Sequence, residues 1–225
     1  MVSLLDIKQW FRGNKVVGLH LQLQDNSQLF SYCELLKIKS AVDVSSSGVV
    51  EHIDQLSTPM FTKAPVYLSL DGKGVMHFKV DHNSTIADAL STILPNVKMD
   101  DFYIQEKVEK DKKWISLMRK GQLTRLINEL DAKGVKVVDL VLGAFSVANY
   151  SRVFDVPKNE LNYQLYDRQW QFRENELEVI NKTEGRVSTY KVDENASLSS
   201  ECLLPFLHAL GFFGVDTDIT TRSIE

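Results

Sequence analysis

Five histidines are the residues of this chain whose type alone could signal chemistry. A zinc centre or a hydrolase site needs at least two such groups on one face, with carboxylates or cysteines beside them. His77 and His82 stand five apart, which puts them on opposite faces of a continuing strand, and His20, His52 and His208 stand alone. Each is read as an exposed imidazole or one satisfied within the core. Asp100-Asp101 could serve a metal or acid-base work, but adjacent residues on a strand point apart. The sequence has no G-x-S-x-G, C-x-x-C, G-x-x-x-x-G-K-[ST] or G-x-G-x-x-G, so the usual hydrolase, redox, P-loop and dinucleotide readings find no support. Asp71-Gly72-Lys73-Gly74 reads as a turn, not a phosphate cradle. Cys33 and Cys202 are too few and too far apart for a disulfide framework or a zinc site and are read as small core residues. No catalytic residue, metal or cofactor is expected from these patterns.

Composition narrows the class further. The chain has 225 residues, 44% of them hydrophobic and 25% charged, with 11 Gly and 5 Pro, which is the profile of a globular protein that buries a core. A net charge of -4 with interspersed signs gives no general attraction to phosphate backbones, so nucleic acid is not an expected partner. The run Lys107 to Lys113 alternates signs and reads as a solvated loop or turn. Leu203 to Val215, the longest apolar run, is interrupted by Pro205 and His208 and falls short of the roughly 20 residues of a membrane-spanning helix. Met1 to Lys8 lacks the features of a secretory signal, which makes the cytoplasm the expected compartment.

The elements that must position any site follow from period. Leu4, Ile7 and Phe11, with Trp10 adjoining, predict a short amphipathic helix over Met1 to Arg12. Lys15 to Gln24 alternates as a half-buried strand, Asp25-Asn26-Ser27 turns, and a second strand runs from Gln28 through Leu36. Ser45 to Gly48 reads as loop, followed by a short helix around Ile53 and Leu56. Val66 to Leu70 and Met76 to Val80 predict a hairpin about the Asp71 to Gly74 turn. Thr85 and Asp88 form a capping box for a helix to about Leu94. Strands are expected at Phe102 to Glu106 and Trp114 to Arg119, then a helix from Gln122 to Lys133 closed by Gly134, then a strand at Val135 to Leu142 covered on both faces. From about Ala148 the texture changes to an aromatic, β-rich meander with segments at 162–168, 170–173, 176–180 and 186–192, and a helix over Leu198 to Gly211 ends it. Trp114 and Trp170 are read as exposed aromatics, while Trp10 and Phe11 serve either the core or a partner.

Phe11-Arg12-Gly13-Asn14-Lys15-Val16-Val17-Gly18-Leu19-His20-Leu21-Gln22 resembles the opening of the actin-like assembly proteins, the group of type II secretion protein L and the pilus protein PilM. Those proteins begin with a short amphipathic helix, then a strand of the form hydrophobic-Gly-Ile-Asp-x-Gly and a hairpin. Gly18 fits; His20 stands where the phosphate-site aspartate would be, Gln22 where the glycine would be, and Ser27 where a lysine follows. Trp114 to Arg119, the helix after it and Gly134 to Leu140 are similar to the strand, helix, strand unit that leads into the second actin-like half. Ala144 to Ala148 resembles the segment that crosses over. The similarity covers most of residues 10 to 150.

The resemblance implies an α/β fold, actin-like (ribonuclease H-like), with mixed sheets flanked by helices and a β-rich second subdomain. The division expected is 1–148 and 149–225. His20 and Gln22 remove the metal-shell carboxylate and the close-approach glycine that phosphate binding needs. Tyr166-Asp167-Arg168-Gln169, where a second phosphate hairpin would lie, has no glycine, and the Gly-rich adenine segment is absent. The function implied is a non-catalytic scaffold of a bacterial secretion or pilus-type machine. Its partners would be an assembly ATPase or an inner-membrane component, and its place the cytoplasm, peripheral at the inner membrane. Leu4, Ile7, Trp10 and Phe11 are the candidate partner contacts. The alternative is a nucleotide-binding actin-like ATPase or sugar-kinase relative that uses ATP, with Asp25 or Asp167 supplying the missing aspartate.

Overall fold

Alternating valine and leucine draw Lys15–Leu23 into a strand, β1, that becomes the centre of a five-stranded sheet. In the computed structural model the described residues are 14–25, 27–39, 41–153, 161–192, 197–214 and 220–221. The predicted helix over Met1 to Arg12, with Leu4, Ile7, Trp10 and Phe11, lies outside them. β1 pairs antiparallel with β2 (Gln28–Ile38), and β2 antiparallel with β3 (Ala41–Val50). On its other side β1 runs parallel to β4 (Val66–Gly72), and β4 parallel to β8 (Val137–Leu142), giving the order β3-β2-β1-β4-β8.

Two readings of this sheet are corrected. Ser45 to Gly48 is not a loop but the middle of β3; at a sheet edge polar side chains meet water, so serines cost little. Ser45 is the extra residue of a bulge and hydrogen-bonds the Glu34 carboxylate. β1 itself is buried on both faces rather than one. Val17, Leu19 and Leu21 pack with Leu68 and Leu70 beneath the short helix α1 (Pro59–Thr62), a 3-10 turn at Ile53–Ser57 and a later helix.

The expected hairpin at Asp71 to Gly74 does not form. Both edges of β4 are taken, by β1 and β8, so the chain turns through Gly72 (φ 96°) and Gly74 (φ 91°) and β5 (Val75–Asp81) starts a second sheet. That sheet has the order β14-β6-β7-β5, with β6 (Phe102–Val108), β7 (Lys112–Arg119) and β14 (Thr220–Thr221). Helix α2 (Ile86–Ile93), capped by Thr85 Oγ1 accepting the Asp88 N–H at 3.1 Å, covers it through Ala89 and Leu90. Lys107 and Lys113 of the supposed solvated run are buried; Lys113 Nζ lies 2.8 Å from Glu106 Oε2, because both strands reach into that run. Asp100-Asp101 sit in a 3-10 turn before β6, not on a strand. Helix α3 (Lys120–Ala132), with Leu123, Leu126 and Leu130 inward and Gly134 in left-handed conformation past its end, returns the chain to β8. β8 is an edge strand, half-exposed over its first four residues, not covered on both faces.

A 3-10 turn at Phe145–Asn149 and helix α4 (Tyr150–Val153) precede the meander β9 (Leu161–Leu165), β10 (Arg168–Arg173) and β11 (Glu176–Lys182). The fourth expected segment pairs elsewhere: β12 (Thr189–Lys191) with β13 (Ser197–Ser199). Helix α5 (Ser200–Ala209), capped by Ser199 and carrying Pro205 inside, lies back on the first sheet. Leu203, Leu204 and Leu207 share one core with Val16, Cys33 and Leu35 and with the meander's Tyr163, Trp170 and Phe172. Trp114 and Trp170 belong to that core and are not exposed. Cys33 and Cys202 are free and buried there, and burial raises both thiols above their ordinary range.

Candidate functional site

The parallel pair β1 and β4 ends side by side, with Gln22 opposite Asp71 and His20 opposite Ser69. In open α/β sheets ligands gather beyond the carboxyl ends of the strands, where the strand order changes direction. A cleft of about 690 Å³ opens there. One wall is the end of β1 with Asp25 and Ser27, the second is the Gly72-Lys73-Gly74 turn, and the third is the β9–β10 turn at Tyr166-Asp167-Arg168 with Lys182.

Behind two lining residues, Gly72 and Arg168, lies the buried carboxylate of Asp71. Arg168 Nη1 donates to Asp71 Oδ1 at 2.6 Å, the Gly72 N–H donates to the same oxygen at 2.7 Å, and His77 Nε2 lies 3.2 Å from it. His77 Nδ1 is in turn 2.7 Å from Ser116 Oγ. Burial would raise the Asp71 carboxyl, but the His77 hydrogen bond and charge, then Arg168 and the Gly72 N–H, hold it below the usual carboxylate range. Ser116, His77 and Asp71 thus form the serine, histidine, aspartate sequence of a nucleophilic site. The Ser116 hydroxyl is buried, and Arg168 pairs with the carboxylate.

His20 is fully buried, bonds Ser69 Oγ through Nδ1 at 3.0 Å, and is lowered by burial to about 4 although Asp71 pulls the other way. It is neutral at pH 7. The Tyr166 ring stacks over it, centroids 6.2 Å apart. Buried Gln22 forms the floor beside it. In the Gly72 turn the Gly72 N–H is held by Asp71 and the Lys73 N–H by the Leu23 carbonyl at 2.8 Å. Those two donors face inward and cradle no phosphate.

The residues singled out from the sequence are therefore dispersed by depth. Gln22 lines the cleft, His20 is buried beneath Tyr166 and outside the lining, and Ser27 stands at the rim with its hydroxyl on Gln24 Oε1. Asp25 pairs with Lys73 and Asp167 lies in the opposite turn, both at the rim. Gly18 is not in the cleft lining; it faces the backbone of Pro205 in α5. Histidine and carboxylate pairs do occur, at His77 and Asp71, six residues apart on consecutive strands, and at His208 and Asp139 (3.1 Å), from elements far apart in sequence. Sequence reasoning gave no site role to Asp71, His77 or Ser116, and named Tyr166 and Arg168 only within the stretch where a second phosphate hairpin would lie; the local trace of Asp71 was a carboxylate ending a leucine-rich strand before glycine. Among the described residues no group of three or more His, Cys, Asp or Glu converges as metal ligands.

No protein-family model matches the chain, and no curated protein matches it by sequence. Among solved structures it is similar to the cytoplasmic domain of EpsL, an inner membrane component of the type II secretion system of Vibrio cholerae. The identity is 13% and the TM-score 0.50, over 75% of this chain and 71% of that one. It is also similar to the PilM-PilN type IV pilus biogenesis complex, at 9% identity and TM-score 0.55, over 74% of this chain and 60% of that one. A protein of Bacteroides thetaiotaomicron with an actin-like ATPase fold and unknown function matches with TM-score 0.47 and 12% identity, over 81% of this chain and 74% of that one. The fold is α/β and actin-like, with a mixed sheet at its centre and further sheets around it.

Proposed function

We propose that this chain acts as a non-catalytic scaffold in a bacterial secretion or pilus-type assembly, recognising protein partners rather than turning over nucleotide. The observation that carries this reading is the cleft floor, which the protein fills with its own side chains. Tyr166 covers His20, and Arg168 occupies the carboxylate of Asp71. A Mg-nucleotide would have to displace a buried ion pair and find phosphate donors that the Gly72 turn already spends on Asp71 and Leu23. The fold shared with EpsL and with the PilM-PilN complex supports a place among assembly components, and hence a secretion or pilus assembly ATPase or an inner-membrane component as partner. Among the described residues no helix is long and apolar enough to cross a membrane. We place the protein in the cytoplasm, peripheral at the inner membrane.

The second reading, a nucleotide-binding ATPase or sugar-kinase relative, is favoured by one feature, the roomy rim carrying Lys73, Arg168 and Lys182. A thermal-shift titration with Mg-ATP and Mg-ADP separates the two. A ligand at 100 times its Kd stabilises by about 2.7 kcal/mol, several degrees for a chain of this size. We expect no shift at millimolar nucleotide; a saturable rise in Tm would establish the second reading.

A further inference from the structure

The outermost strand of a sheet presents unpaired peptide groups that invite another strand, and proteins blunt such edges. This chain does so with its own groups on several strands. β14 pairs with β6, and the Gln105 amide bonds the outer side of β8. On β11 the Leu177 N–H donates to Glu109 Oε1 at 2.7 Å, and the Leu177 carbonyl accepts from Trp114 Nε1 at 2.9 Å. β3 differs. It is the outer strand of the first sheet, ten residues long, and it contains no Lys, Arg or Pro. Among the described residues no further strand pairs with it, and no side chain brackets it as Gln105 brackets β8. The Cys202 thiol meets its Gly48 carbonyl at 3.8 Å, from the side of α5. Its bulge at Ser45 kinks the strand but leaves 41–44 and 46–50 extended on either side.

The apolar residues of β3 run past the helix that covers its neighbours. Val44 stands opposite Leu35 and Ser47 opposite Cys33, both in the core shared with α5, and the bulge carries the set from even to odd positions. Val42, Val44, Ser47 and Val49 therefore share the α5 face. α5 packs mainly on β1, β2 and β4, so Val44 and Val49 remain 37% and 43% exposed.

The strand is also complementary to itself. Lys37 and Lys39 stand at its beginning, Glu51 follows its end, and Asp43 is its single charged residue. Two β3 strands running antiparallel about a twofold axis bring the lysine end of each copy to Glu51 of the other. Asp43 then falls against the uncharged stretch from Ser47 to Val50. The axis also continues the same sheet face, so the Val44 end of one copy meets the Val49 end of the other between two α5 helices. We propose that β3 is the surface through which two copies of this chain join, edge to edge, into a single sheet that runs through both.

The test is the mass of the full chain by sedimentation equilibrium. We expect it to rise from 25.6 kDa toward twice that value between about 1 and about 200 μM, the range in which a small interface associates. Over the same range the outward amides of β3 should slow their hydrogen exchange at least tenfold. The double variant Val44→Lys with Val49→Lys changes two exposed side chains and sets like charges into the shared strip. It should stay at the monomer mass with an unchanged circular dichroism spectrum. A wild-type chain that remains monomeric at the upper concentration would overturn the proposal. So would a dimer that persists in the folded double variant, or one whose β3 amides exchange equally fast at both ends of the range, because its interface lies elsewhere. Slow β3 exchange in a monomer would overturn it too, by showing that another segment of the same chain takes the edge.

Discussion

Gly18 shows how much one missing methyl can govern. A Cβ there would fall inside the backbone carbonyl of Pro205, so α5 touches β1 only because residue 18 has no side chain. Gly18→Ala must lift the helix off the sheet and is expected to cost about 3 kcal/mol, read as a lower urea midpoint with an unchanged slope. In the sequence this glycine fitted a phosphate-site pattern. Its packing partner lies in the last helix, where no local pattern points back to residue 18. His20 carries a second prediction. Its folded pKa, about 4, lies below the unfolded value of 6.5, so the stability due to the neutral ring is complete above pH 6.5 and is lost as the pH falls through 4. The loss across that window amounts to about 3 kcal/mol. His20→Gln should flatten this slope, and parallel urea midpoints for the two proteins between pH 7 and 4.5 would refute it. Asp71, held low, adds its own loss only below the ordinary carboxylate value of 3.8, outside that window.

At the scale of elements, what could be read from sequence was whatever neighbours in the chain decide. The Thr85 and Asp88 cap, Gly134 past α3 and the three strands of the meander all rest on contacts a few residues apart. The hairpin failed because Gly72 and Gly74 specify a reversal of direction but not which edge is free, and β1 and β8 had already taken both edges of β4. The cleft was hidden for the same reason, since Asp71, His77, Ser116 and Arg168 come from four strands in three sheets. Edge protection follows this rule as well. β8 would present bare peptide groups on its outer side, but Gln105 of β6 reaches across. Its Nε2 donates to the Leu140 carbonyl at 2.6 Å and its Oε1 accepts the Leu142 N–H at 2.7 Å. One amide side chain imitates the next strand. Gln105→Leu keeps the bulk and removes both bonds; we expect a loss of about 2 kcal/mol and faster amide exchange at Leu142, and an unchanged exchange rate there would show that the bracket contributes nothing.

For the whole molecule, the decisive connection is the return of α5. The first sheet is built from residues before 143, yet the face of β1 and β2 that carries Val16, Cys33 and Leu35 is covered by Leu203, Leu204 and Leu207 from the end of the chain. The meander joins the same core through Trp170 and Tyr163, whose hydroxyl bonds the Ser200 carbonyl. A texture change near Ala148 marks where the chain changes from α/β to meander, but burial is shared across that point. A fragment of residues 1–148 would expose that apolar face and leave Asp71 without Arg168, a buried charge with one partner removed. It is therefore expected to lack a cooperative thermal transition and dispersed amide resonances. Adding residues 149–225 as a separate chain should restore both, because α5 and Arg168 arrive together on the second piece. A fragment 1–148 that melted cooperatively alone would mean that the first sheet tolerates a bare face, and that α5 docks on a fold already made.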